Sequence, residues 1–316
     1  CPLSARLPGT GWLSPFAFRR LLASPDRIAR GPAVILEQES VLPMLEMSIV
    51  WLRVATGLYS IGLLHAILTV LRKKSGLFAV ATRTFTVGVI IHFVALVELG
   101  VGSGALPVNN LNESMSLCGF LIALGYLVVL WRYQFESIAI CVFPLVFLMT
   151  QVGSMEFPVA GWSDTRVRSV WLLLHVFLVL LGYAGLAMTA IASLFYLVRE
   201  RQLKTKSVSR LFDRLPPLGT LDNLITAAMG FGFVFITLGV IVGSTWAFIE
   251  YGTRWIAQAK IAISLITWVF YLAMIFLRMT AGWRGRKAAL MALSVVGFSA
   301  LTWAAHAGLH GEALVR

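Results

Sequence analysis

Gly243-Ser-Thr-Trp246-Ala-Phe-Ile-Glu-Tyr251-Gly252-Thr253-Arg254-Trp255-Ile-Ala-Gln-Ala-Lys260 joins two apolar runs, at about 224–247 and 256–277. Each run covers much or all of a hydrocarbon core of about 30 Å, so the stretch reads as the turn between two membrane helices. Tryptophan and tyrosine favour the membrane–water interface, where an apolar ring and a polar edge are both accommodated. On that preference alone, Trp246, Tyr251 and Trp255 form an aromatic belt at the end of a helix pair. The rest of the chain decides whether they do more.

Of the 316 residues, 59% are apolar and 13% charged, with a mean hydropathy of +0.85. No soluble domain hides that much apolar surface, and the composition is that of a multi-pass membrane protein. The net charge of +12 resembles a nucleic-acid signature until it is mapped. Lys and Arg fall in the short segments between apolar runs, which is the signal of membrane topology. No nucleic-acid partner is expected. No CxxC, CxxCH or Cys/His zinc spacing occurs, which excludes a dithiol oxidoreductase and a covalent haem carrier. Cys118 and Cys141 fall near opposite faces, which argues against a disulfide between them.

Residues 1–46 differ from the rest of the chain. They begin at Cys1 and carry five Arg among scattered Pro and Gly, without an apolar period. The expectation is a segment upstream of a start at Met44 or Met47, the alternative being an extramembrane tail. The membrane domain is then 47–316. It contains eight apolar runs, at about 48–71, 84–101, 115–132, 137–153, 168–198, 224–247, 256–277 and 288–308. The expected fold is all-α, an integral membrane bundle of about eight transmembrane helices. The third and fourth runs are joined by little more than Arg132-Tyr-Gln-Phe-Glu136, as in a tight helical hairpin.

Alternate loops differ in charge. One side holds fifteen Lys and Arg: Arg72, Lys73, Lys74, Arg83, Arg132, Arg199, Arg201, Lys204, Lys206, Arg210, Arg214, Arg278, Arg284, Arg286 and Lys287. From Met47 onward the other side holds six: Arg53, Arg166, Arg168, Arg254, Lys260 and Arg316. The positive-inside rule makes the first side cytoplasmic. Both ends of the membrane domain and the Trp246–Trp255 stretch are then outside, in a bacterial-type plasma membrane.

This topology places His175 about two turns below the outer end of the fifth helix. His306 and His310 lie one turn apart at the outer end of the eighth. His92 lies mid-membrane in the second helix and His65 toward the cytoplasmic side of the first. An intramembrane His is costly unless it faces the bundle interior and finds a partner, which makes it a functional candidate. Neutral imidazole is a common metal ligand, and two histidines across an aromatic slot suit the axial positions of haem iron. Arg166, Arg168 or Arg254 would then meet the propionates. The competing reading is that His175 only hydrogen-bonds a neighbouring helix. Zinc is the weaker metal, because His306 and His310 lack a third ligand and an intervening Glu. Glu98 is a candidate partner for a histidine or a proton path. No P-loop, nucleophile elbow or dinucleotide-binding unit occurs. Gly100-Val-Gly102-Ser-Gly104 reads as the turn closing a membrane helix.

Several stretches resemble the cytochrome c assembly protein family, the membrane haem handlers of the CcsA and CcmC type, over roughly residues 48–310. The closest resemblance is to the divergent HemX-like branch. Pro107-Val-Asn109-Asn110-Leu111-Asn112-Glu113-Ser114 is similar to the family's N-L-Y-E-S loop, with Asn112 in place of the aromatic. Trp171-Leu-Leu-Leu-His175-Val and Leu181-Gly182-Tyr183-Ala184 resemble the segment bearing the first external haem-ligand histidine. Arg214-Leu-Pro-Pro217-Leu-Gly-Thr-Leu221-Asp222 is similar to a cytoplasmic loop, and Gly282-Trp-Arg-Gly-Arg-Lys287 to the segment after the seventh helix. Gly308-Leu309-His310 stands where the second external histidine is expected. The family's W-G-x-x-W-x-W-D-P-K-E signature is reduced here to Tyr251, Gly252, Trp255 and Lys260. Phe276 stands where ligases of the family place a membrane-embedded His.

The resemblance implies a haem-binding or haem-passing protein of cytochrome c biogenesis. The reduced signature points to an accessory role, as an assembly factor rather than a haem ligase or other enzyme. His175 and His310 are the expected axial ligands; Trp246, Tyr251 and Trp255 are the expected aromatic wall. Arg254 is the expected propionate partner, and His92 a candidate for a second, deeper site. Haem, other cytochrome c assembly membrane proteins and the lipid bilayer are the expected partners. Two rival functions remain open: a small-molecule transporter, which calls for internal repeats and interrupted helices, and a ligand-free scaffold subunit.

Overall fold

A computed structural model describes residues 32–72, 75–104, 106–108, 110–155, 170–205, 215–252 and 259–311, with side chains described except at 32–45, 70, 72, 75, 250–251, 259–260 and 301–311. Among the described residues there are eight α-helices and no strand: α1 (Pro32–Arg72), α2 (Ser75–Ser103), α3 (Leu111–Tyr133), α4 (Ala139–Gly153), α5 (Val170–Thr205), α6 (Leu218–Tyr251), α7 (Ala259–Thr280) and α8 (Arg286–Gly311). Seven spans among them are long and apolar enough to cross a membrane. Helices are what such sequences must form, because hydrocarbon offers no partner to an unpaired backbone group. The chain is an all-α, multi-span membrane protein.

Five of the expected runs lie within one helix each; 137–153 begins in the 3₁₀ turn before α4, and the described parts of 168–198 and 256–277 lie in α5 and α7. Several helices outrun their apolar core. α2 begins at Ser75 rather than 84, so Arg83 lies within the helix and not in a loop. α5 continues through Arg199 and Arg201 to Thr205. Beyond the hydrocarbon a helix needs no apolar side chains, and long Arg and Lys stems reach back to the interface. α1 runs unbroken through the position expected to divide 1–46 from the membrane domain. Gly104, at φ 64°, turns the chain out of α2 as its glycines suggest.

The caps are local chemistry. Asn110 has an extended backbone, and its side chain accepts from Glu113 N–H at 2.8 Å while its Nδ2 donates to Glu113 Oε1 at 2.8 Å. The first bond is an N-cap at the start of α3, and the second, side chain to side chain, braces it. Asn112 Nδ2 donates to the Met155 carbonyl at 3.0 Å and so ties the start of α3 to the end of α4. At the other end of the hairpin Gln134 is left-handed (φ 53°), and one 3₁₀ turn (Glu136–Ile138) leads into α4.

The helices form two groups that share α5. α1 packs on α2 and α4, α3 on α4 and α5, α6 on α5, and α8 on α5 and α7. In the first group Phe85 and Phe143 stack at 4.1 Å between ring centres, with Tyr126 edge-on to both. In the second, Leu186, Met229, Tyr271, Met274, Ala292 and Val295 form a smaller core. α5 and α6 approach closely because glycines face each other. A Cβ on Gly185 would stand 2.8 Å from Gly232 Cα, and one on Gly182 would overlap Ile236. In lipid, where apolar surface alone does not drive association, small residues let backbones make the contacts. Tyr271 OH donates to the Met229 carbonyl at 2.8 Å and pins α7 to α6.

The opposite end of the bundle is tied by charge. Arg278, with 6% of its side chain exposed, meets Asp222 Oδ1 at 3.0 Å, and its Nη2 also donates to the Asp222 carbonyl and Thr226 Oγ1. Gly285 N–H reaches Asp222 Oδ1 at 3.4 Å. One aspartate therefore joins α6, α7 and the turn into α8.

Candidate functional site

His175 is the sixth residue of α5, half-buried against α6. Its Nδ1 lies 2.7 Å from the Gly239 carbonyl oxygen. A carbonyl only accepts, so Nδ1 carries the proton and the imidazole lone pair is on Nε2. The ring lies over Gly243: a Cβ there would fall on its Nδ1 and Cε1. Gly239 is closed in the same way, since its Cβ would stand 2.7 Å from Val179 Cγ2. Gly239-x-x-x-Gly243 thus forms a notch one turn long that seats the ring and exposes the carbonyl it bonds. Trp246, half-buried, is three residues past Gly243 and so on the adjoining surface of α6.

Histidines that bind metals commonly donate their second ring N–H to a carbonyl or carboxylate, which sets tautomer and orientation. The His175–Gly239 pair has that arrangement, and the same bond also stitches α5 to α6.

Of the other expected site residues, position 310 is the penultimate residue of α8, which packs on α5, and it lies at the end of the bundle where α5 begins. The side chains of His306, His310 and Tyr251 fall outside the described residues, as do Arg166, Arg168, Arg254 and Trp255. His92 is fully buried among α1, α2 and α3, with Tyr59 OH 3.3 Å from Nδ1 and Ser116 Oγ 2.9 Å from Nε2. Phe120 packs edge-on to its ring. Both nitrogens are engaged by the protein, so in this arrangement the ring offers no lone pair for a metal. Glu98 accepts from Trp51 Nε1 at 3.2 Å and does not reach His92. Phe276 is exposed on α7. Among the described residues no three His, Cys, Asp or Glu side chains gather as a metal cluster.

Sequence reasoning missed the glycine notch. Its signal was present as Gly239-x-x-x-Gly243, a spacing associated with close helix packing in membranes. The Arg278–Asp222 tie was missed because the partners are far apart in sequence.

Eight helices among the described residues, seven of them long and apolar enough to cross a membrane, define the class: a polytopic membrane protein. The sequence profile of the cytochrome c assembly protein family matches residues 108–305, and the chain belongs to that family. It is 31% identical to the cytochrome c biogenesis protein CcsA of Prochlorococcus marinus (strain MIT 9301) over 70% of this chain and 78% of that protein. Against the CcsA of Heterosigma akashiwo (strain NIES-293 / 8280G21-1) the identity is 28%, over 65% of this chain and 73% of that one. A solved structure of the cytochrome c haem lyase CcmF superposes with a TM-score of 0.63 at 16% identity. The match covers 82% of this chain and 46% of that one, and it shows a shared fold.

Proposed function

We propose that this protein binds haem at the end of the bundle where α5 begins, as an accessory of cytochrome c biogenesis. The observation that carries the reading is the Nδ1–H bond from His175 to the Gly239 carbonyl. It holds the ring over Gly243, where a side chain would displace it, and Nε2 is the proposed coordinating atom. His310 is the second proposed ligand, and Trp246, Tyr251 and Trp255 the aromatic wall. Arg254 would pair with a propionate. Haem, when bound, supplies a ligand-tuned iron and is itself the cargo that cytochrome c assembly needs. The chain's own residues orient the imidazole and provide the wall; none is assigned a step of organic catalysis. CcsA and CcmF relatives support a place in cytochrome c biogenesis, and the unequal Lys/Arg distribution supports an outer-face site in a plasma membrane.

The test is the absorption spectrum of protein purified in mild detergent, wild type beside His175→Ala and His310→Ala, with pyridine-haemochrome quantification. A stoichiometric Soret band, lost or shifted in both variants, is the expected result. A colourless wild type that also ignores added haem would overturn it. The scaffold reading would then be preferred, since the His175–Gly239 bond is also what a helix stitch requires.

A further inference from the structure

His92 lies between two hydroxyls whose protons it can accommodate only in part. Tyr59 OH is 3.3 Å from its Nδ1, and Ser116 Oγ is 2.9 Å from its Nε2. A neutral imidazole has one N–H and one lone pair, so it donates to one hydroxyl and accepts from the other. The hydroxyl that receives the N–H keeps its own proton, and that proton needs a third partner. A charged imidazolium would leave two such protons. Among the described residues neither hydroxyl has a hydrogen bond besides the one to His92. Tyr59 and Ser116 are both buried, and a buried donor without an acceptor bears its full desolvation cost. One of the two therefore faces a ligand.

Tyr59 is closed in by packing: its ring lies 5.0 Å from that of Phe85, and a Cβ on Gly88 would fall on its Cδ1 and Cε1. Ser116 instead lines a cavity of about 190 Å³ where the start of α3 meets the end of α4. Tyr59 therefore donates to Nδ1, Nε2–H donates to Ser116 Oγ, and the Ser116 proton turns into the cavity. The wall selects what accepts it. Glu113 brings a carboxylate, which disfavours an anion. Ser154 has its proton committed to the Gln151 carbonyl at 2.8 Å, so its oxygen is left as an acceptor. A bare cation would suit those oxygens but not the Ser116 proton. The ligand must accept at the inner end and donate at the wall. Water does both, and the volume holds about six waters at roughly 30 Å³ each.

We propose that this cavity is a water site, where a small cluster accepts from Ser116 at its inner end and donates to Glu113 and Ser154 at its wall. The hydrogen bonds then run in one direction, from Tyr59 through His92 and Ser116 to water and Glu113, and each polarises the next. The cluster joins the capped start of α3 to a histidine in the bundle interior. The site shares no residue with the haem reading and does not depend on it.

Nuclear magnetic resonance of the full chain in detergent, labelled at the histidine nitrogens, tests the proposal. His92→Gln identifies the His92 signals by their loss. His92 should carry its proton on Nε2, with Nδ1 bare, and magnetisation should pass from water to that proton through the Ser116 hydroxyl. Ser116→Ala lets a water meet Nε2–H directly and should quicken the transfer. Leu99→Trp, at a half-buried position of the cavity wall, should slow it several-fold and leave the tautomer unchanged. Melting in detergent shows whether each variant folds. A proton on Nδ1 would overturn the assignment. So would a ring that receives nothing from water in wild type, or less in Ser116→Ala than in wild type. Undiminished transfer in a folded Leu99→Trp would bring the water by another route and overturn the cavity as its site. If Leu99→Trp does not fold, the wild-type and Ser116→Ala readings decide alone.

Discussion

His175 sits where α6 has no side chain, and this makes the position unusually sensitive to a single methyl. Gly243→Ala should lower the melting temperature in detergent, at a cost of about 1–3 kcal/mol for overpacking against a fixed ring. The double variant with His175→Ala should recover most of that loss, a coupling that only direct contact produces. Absence of coupling in the double-mutant cycle would dissociate the ring from the notch. His92 presents the opposite case, a buried ring with both nitrogens occupied by Tyr59 and Ser116. His92→Ala should cost about 2–4 kcal/mol, because it opens a cavity and leaves two buried hydroxyls without their partner. If His92→Ala melts like wild type, the network contributes nothing to stability.

At the scale of elements, caps and ties decide where helices stop and how they meet. Asn110→Ala removes the side-chain acceptor at the start of α3 and should cost about 1 kcal/mol, read as a melting shift. Arg278→Leu leaves Asp222 facing a buried apolar group and should cost about 3 kcal/mol; adding Asp222→Asn should restore part of it. An unchanged melting curve for Arg278→Leu would remove the tie from the account of stability. The elements themselves were legible in the sequence, because an apolar run of membrane length leaves the backbone one solution. Helix ends such as Ser75 and Thr205 were less legible, since polar turns beyond the hydrocarbon carry no hydropathy signal. For the candidate site, the sequence put residue 175 near the start of the fifth helix, and the structure has it as the sixth residue of α5. The sequence did not show the notch at Gly239 and Gly243, because what a glycine admits depends on the helix it faces.

For the whole molecule, the charge asymmetry sets an expectation about orientation. Alkaline phosphatase fused after residue 311 should be active, and a fusion in the segment between α5 and α6 inactive; the reverse pattern would invert the membrane assignment. The arrangement around α5 has a temporal consequence as well. The ribosome releases the helices in order, and α5 is the fifth of the eight among the described residues. Until it emerges, α1–α4 wait in the bilayer with one flank uncovered, since α3 takes α5 as its neighbour. α6, and later α8, then arrive to find their packing surface already installed. Synthesis therefore passes through one step on which both earlier and later helices depend, and a stall before Thr205 strands a half-assembled bundle for the cell's membrane proteases to find.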